Sequence, residues 1–106
     1  MELLTKELRE KFKKQGRVED GEDPMVICKF FNPTGRGTWY AIEYNEQDKI
    51  FYGYVSIFGD HNDEFGDFTL EELESLKLPM GLGIERDLYW ESRKLSVLKK
   101  ELNINY

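Results

Sequence analysis

The stretch Gly66-Asp67-Phe68-Thr69-Leu70-Glu71-Glu72-Leu73, closed at Pro79 and followed by Gly81-Leu82-Gly83-Ile84-Glu85-Arg86-Asp87-Leu88, decides the fold. Its local rules predict a short helix and then a strand. Thr69 and Glu72, three apart, form a capping box, and Phe68 and Leu73 occupy the positions of a hydrophobic staple. Such a cap is worth on the order of 1 kcal/mol. The helix ends at Lys77-Leu78-Pro79, since proline lacks a donor and disfavours helical geometry in the residue before it.

Upstream, Leu8 and Phe12 lie four apart among Lys6, Arg9, Lys11 and Lys13, a narrow apolar stripe that predicts a helix capped by Thr5 and stopped at Gly16. The acidic, apolar-poor segment Val18 to Pro24 reads as an exposed connection. Three strands are expected next, Met25 to Phe31, Thr38 to Tyr44 and Lys49 to Phe58, rich in β-branched and aromatic residues. Hairpin-length separators at 33–37 and 45–48 pair them as an antiparallel meander. In the third strand Phe51, Gly53, Val55 and Ile57 share one face, and Tyr52, Tyr54 and Ser56 the other. Alternation over Asp87 to Glu91 predicts a fourth strand, and Leu95, Leu98 and Leu102 stripe a C-terminal helix. The expected fold is a single α+β domain over residues 1–106: a meander sheet of about four strands, both terminal helices on one face, and the short capped helix near an edge.

A chain of 106 residues can bury a core without a metal or disulfide. The one cysteine, Cys28, lies in an apolar run, which predicts a small buried thiol in a reducing compartment. Charges interrupt the N-terminus, and no apolar run approaches the length of a membrane span, so a cytoplasmic location is expected. Proline in Asn32-Pro33-Thr34 excludes glycosylation there.

The formal charge of -6 is unevenly laid out. Residues 1–17 and 92–106 each carry a net +3, whereas residues 60–91 hold ten acidic groups against Lys77 and Arg86. Asp60, Asp63, Glu64, Asp67, Glu71, Glu72 and Glu74 fall within fifteen positions. Such a surface repels phosphate and attracts basic partners.

A family resemblance rests on Leu3-Leu4-Thr5-Lys6-Glu7, Trp39-Tyr40-Ala41 with Glu43-Tyr44, and Phe51 with Gly53 and Val55. Stronger matches are Gly66, Phe68, Leu70, Glu72 and Leu73, then Gly81-Leu82, Ile84-Glu85-Arg86-Asp87-Leu88 and Trp90. These resemble the signature of a small bacterial domain of unknown function carried on plasmids, phages and integrative elements. The resemblance implies a cytosolic protein of a mobile element and carries over no catalytic residues.

The chain holds no strong catalytic, metal or nucleotide motif, so no cofactor and no enzymatic activity are expected. His61, the sole histidine, reads as an exposed loop residue, and neither it nor Cys28 has companions at zinc-ligand spacing. Asp60, Asn62, Glu64 and Glu71 sit at positions 1, 3, 5 and 12 of a calcium-loop pattern, but Phe65 stands where glycine is required. Tyr52-Gly53-Tyr54-Val55 matches only the centre of an RNA-recognition signature, and cross-strand packing explains its tyrosines better. Gly81-Leu82-Gly83 reads as turn glycines, and Arg86 as a structural tie to carboxylates.

The leading expectation is a non-enzymatic interaction or regulatory module, a monomer or weak dimer, that meets a basic partner protein. Its expected surface comprises Asp60, Asp63, Glu64, Asp67, Glu71 and Glu74 with Trp39, Tyr40, Tyr44, Tyr52 and Tyr54. The alternative is a nucleic-acid binder using Lys11, Lys13, Lys14, Lys99 and Lys100 with strand aromatics. A third reading, carboxylate chemistry around Glu43, Glu85 and Asp87, requires a deep pocket that joins two of them.

Overall fold

The computed structural model describes residues 1–57 and 63–105, so Phe58, Asp60, His61 and Asn62 lie outside the described residues. The elements run α1 (Lys6–Gln15), β1 (Met25–Val26), β2 (Cys28–Phe31), β3 (Thr38–Asn45), β4 (Ile50–Ser56), β5 (Glu64–Thr69), α2 (Leu70–Ser75), β6 (Glu85–Arg86), β7 (Arg93–Lys94) and α3 (Leu95–Leu102). An antiparallel sheet in the order β5-β4-β3-β2-β6 forms the centre, and β1 pairs with β7 in a separate two-stranded ribbon. The fold is α+β, as the periodicities predict.

Both anticipated caps form. Thr5 Oγ1 accepts the Leu8 N–H at 3.2 Å. Gly16 closes α1 at φ 66°, a conformation that favours glycine. Thr69 Oγ1 accepts the Glu72 N–H at 3.0 Å, and Phe68 and Leu73 are buried in one cluster.

The fourth-strand expectation fails. Residues 87–91 turn instead, because the Asp87 carboxylate accepts the Tyr89 N–H at 3.0 Å in an Asx turn and leaves Tyr89 96% exposed. Strand pairing falls to the flanking dipeptides, Glu85–Arg86 against Phe31 and Phe30, and Arg93–Lys94 against Val26 and Met25. The expected first strand is split at Ile27, where the chain leaves β7 and its N–H turns to the Ala41 carbonyl of β3. The sheet also gains β5, which the helix signals of 66–73 obscure.

The terminal helices lie on opposite faces rather than on one. Phe12 and the half-buried Leu8 of α1 join Phe30, Trp39, Phe51, Phe68 and Leu73, and α2 covers the same face. Leu98 of α3 packs instead with Val26, Tyr40, Ile42 and Tyr54. A sheet that is apolar on both sides needs cover on both, and β4 is such a strand. Gly53, in the middle of β4, is obligatory: a Cβ there would stand 1.8 Å from the Tyr40 carbonyl oxygen.

Arg86 does act as a structural tie, but to carbonyls rather than carboxylates. Its Nη1 donates to Glu2 O at 2.6 Å and Leu3 O at 2.8 Å, which holds the N-terminal arm with Leu3 and Leu4 buried. Cys28 is enclosed, and burial pushes its thiol up to about 12. It is therefore an inert core residue at neutral pH. Among the described residues no helix is long and apolar enough to cross a membrane.

Candidate functional site

A single irregularity in β3 builds the site. Ala41 faces Gly53 and Glu43 faces Tyr52, so Ile42 is an extra residue, a β-bulge. Uninterrupted alternation would send Glu43 into the core beside Trp39 and Ala41. The bulge shifts the period by one, which sends Tyr44 into contact with Phe51, ring centroids 4.6 Å apart, and puts Glu43 on the opposite face. The Ile42 carbonyl is satisfied by Gln15 Nε2 at 2.9 Å, and Gln15 also exchanges hydrogen bonds with the Met25 backbone at 2.9 and 3.0 Å.

Register then sets a row across three strands. Tyr52 of β4 lies directly between Glu43 of β3 and Asp67 of β5. The three line a recess of about 220 Å³ with Asn45, Ile50 and Phe51. This recess adjoins a groove of about 710 Å³ under the connection that links α1 to β1. The groove falls within the size range of ligand sites. The connection is a strap with a turn closed by the Glu22 N–H on the Glu19 carbonyl at 3.2 Å. One end is fixed by Gln15. At the other, the Asp23 carboxylate accepts the Ser96 N–H at 2.8 Å and its hydroxyl at 2.6 Å. Asp23 so caps α3 from a distant part of the chain.

Five acidic residues line the groove (Glu19, Asp20, Glu22, Glu43 and Asp67) against Lys13 and Arg17. The Tyr52 phenol is held protonated above its ordinary range, by burial first and then by the charges of Glu43, Asp67 and Asp20. Glu43 and Asp67 take part in no ion pair or side-chain hydrogen bond among the described residues. The groove therefore carries uncompensated negative charge beside an aromatic floor, an arrangement suited to binding a cation.

The surface expected from sequence is redistributed. Trp39, Tyr40 and Tyr54 are buried core residues, because helices cover both faces of the sheet. Tyr44 is half-buried against Phe12 and Phe51. Tyr52 alone of the five aromatics stays exposed, at 37%. Glu64 pairs with Val55 and Asp67 with Tyr52, so these two acids fall on opposite faces of β5. Asp63 accepts the Ser56 hydroxyl at 2.8 Å, and Glu71 and Glu74 are exposed on α2. The acidic run thus wraps the β5 edge instead of forming one face.

The carboxylate trio does not converge. Glu43 lines the groove, whereas Glu85 and Asp87 stand at β6, the opposite side of β2, with Asp87 3.4 Å from Lys29 Nζ. Glu64 and Glu71 are separated by the length of strand β5, which is incompatible with a continuous calcium loop, and no group of metal-binding side chains occurs among the described residues. Sequence reasoning missed Asp20 and the bulge. The available signal was Glu43 itself, a charge at a position that strict alternation assigns to the core.

No curated protein and no solved structure matches the chain. A family model matches residues 3–103, nearly the whole length. The chain therefore belongs to the family described as "Protein of unknown function (DUF2958)".

Proposed function

We propose that the protein is a non-enzymatic interaction module of a mobile genetic element, cytoplasmic in location, that holds a basic segment of a partner protein in the strap groove. The observation that carries this reading is the groove lining itself, five acidic side chains against two basic ones over an exposed tyrosine. Opposed potentials speed encounter and reject wrong partners. The same potential disfavours phosphate. The nucleic-acid alternative also loses its stacking platform, since Tyr40 and Tyr54 are enclosed.

The test is capture of a partner from the native host, followed by calorimetry with that partner in purified form. Glu43→Lys with Asp67→Lys should abolish binding, whereas Glu71→Lys with Glu74→Lys on α2 should leave most of it. Equal affinity for the wild type and the groove variant would refute the groove. Binding of single-stranded oligonucleotide at low salt, with log affinity falling linearly in log salt, would favour the alternative.

A further inference from the structure

We infer that the recess beneath the groove is an arginine subsite, in which a guanidinium from the partner lies on the Tyr52 ring and donates to Glu43 on one side and Asp67 on the other. This rests on the interaction reading above and names the group that reading requires.

Adjacent strands lie about 4.8 Å apart, so the two acidic positions flank the ring roughly 10 Å from each other, with Tyr52 midway. A guanidinium is planar and presents donors along several edges, so one group can stack by its face while it donates to carboxylates at both sides. An ammonium concentrates its charge at one atom and must choose between them. The recess of about 220 Å³ holds one such side-chain end and is too small for a folded element.

The second observation is that the Tyr52 ring, stacked with its centroid 6.4 Å from that of Phe65, carries no cation among the described residues, unlike three other rings. On the same face Lys99 stands 5.6 Å from the Phe65 ring centroid, Arg93 4.6 Å from that of Trp90, and Lys29 5.8 Å from that of Tyr40. The chain's own cations thus cover three rings in cation–π geometry. Tyr52 has no such cover among the described residues, although it is exposed. The carboxylates repeat the contrast. Asp87 pairs with Lys29 at 3.4 Å, Glu101 with Arg93 at 2.7 Å, and Glu46 with Arg9, whereas Glu43 and Asp67 pair with no cation among the described residues. Lys13 and Arg17 line the wider groove but not the recess.

The test is titration of the whole ¹⁵N-labelled protein with N-acetyl-arginine amide, its lysine counterpart and the neutral isostere N-acetyl-citrulline amide, read by amide chemical shifts. Arginine should give saturable shifts centred on residues 43, 52 and 67, lysine should bind roughly 10-fold more weakly, and citrulline should give none. Glu43→Gln and Asp67→Asn should each weaken arginine roughly 10-fold, as expected for loss of one charge-assisted hydrogen bond. Tyr52→Phe should retain binding and Tyr52→Leu should lose it, because the ring face is what is needed. Citrulline matching arginine, or no saturation at tens of millimolar, would overturn the subsite. An arginine-containing decapeptide whose groove binding survives both carboxylate substitutions would overturn the subsite and leave the interaction reading standing. A decapeptide that binds nowhere in the groove would overturn both.

Discussion

The two faces of the central sheet are built from the same strands and finished in different ways. Under α1 and α2 lie thirteen of the described buried residues in one continuous core, centred on Phe51, which touches Phe12, Phe30, Tyr44 and Phe68 at centroid distances of 4.6 to 5.7 Å. Under α3 lie five, with the groove beside them. Two helices close the first face over a continuous core. One short helix and a strap close only part of a face, and the remainder can carry unpaired charge in contact with water.

The contrast predicts unequal consequences of core truncation. Phe51 is fully buried and its neighbours are held by several elements. Phe51→Ala should therefore cost about 4 kcal/mol. Leu98→Ala should cost about 2 kcal/mol, near the low end for leucine, because its cluster holds only five of the described buried residues and can relax into the space left. Denaturant midpoints at constant m-value check both. Equal losses would show that the α3 face is packed as tightly as the other.

A smaller effect concerns the strap. The residue before α3, Lys94, supplies no capping side chain, and Asp23 takes that place through Ser96. These hydrogen bonds, the Ser96 side chain's first and its backbone's second, hold the Asp23 carboxyl below the usual range. A carboxyl with a depressed folded-state pKa stabilises above its unfolded pKa of about 3.9, and that contribution fades as pH falls through the folded value. Asp23→Asn should therefore flatten the acid limb of the stability profile and speed amide exchange in the first turn of α3, while α1 exchange stays unchanged. Faster exchange in α1 as well would mean that the two faces do not open independently.

The covered face is legible in the sequence because short-range rules govern it. Thr5, Gly16, Thr69, Glu72 and Pro79 act within a turn of themselves, and Phe51 and Val55 declare their side by alternation. The open face is not, since each of its determinants is a long-range decision. The bulge at Ile42 depends on Gln15, 27 residues away, and the α3 cap on Asp23, 73 residues from Ser96. Strand β5 is hidden for a related reason. Its residues Glu64 to Thr69 include two charges and a glycine, which suit an edge strand and lower its strand signal. Asp87 to Glu91 fails in the opposite direction, where an alternating pattern loses to a hydrogen bond accepted by the Asp87 side chain.

The finest probe of the difference between the faces is the Tyr52 phenol. Burial is the first cause of its raised pKa, and Glu43, Asp67 and Asp20 follow in that order. A phenol raised in the folded state stabilises the fold below its unfolded pKa of about 10, and that contribution is lost as pH rises through the folded value. Glu43→Gln should lower the Tyr52 titration part of the way toward the ordinary phenol value, because the charge is removed and the burial stays. Asp67→Asn should lower it less, and Glu64→Gln, on the other face of β5, should leave it in place. ¹³C-tyrosine NMR resolves the six tyrosines and reads each midpoint. If Glu64→Gln moves Tyr52 as far as Glu43→Gln does, the charges act through bulk solvent rather than across one face, and the row does not exist as a unit.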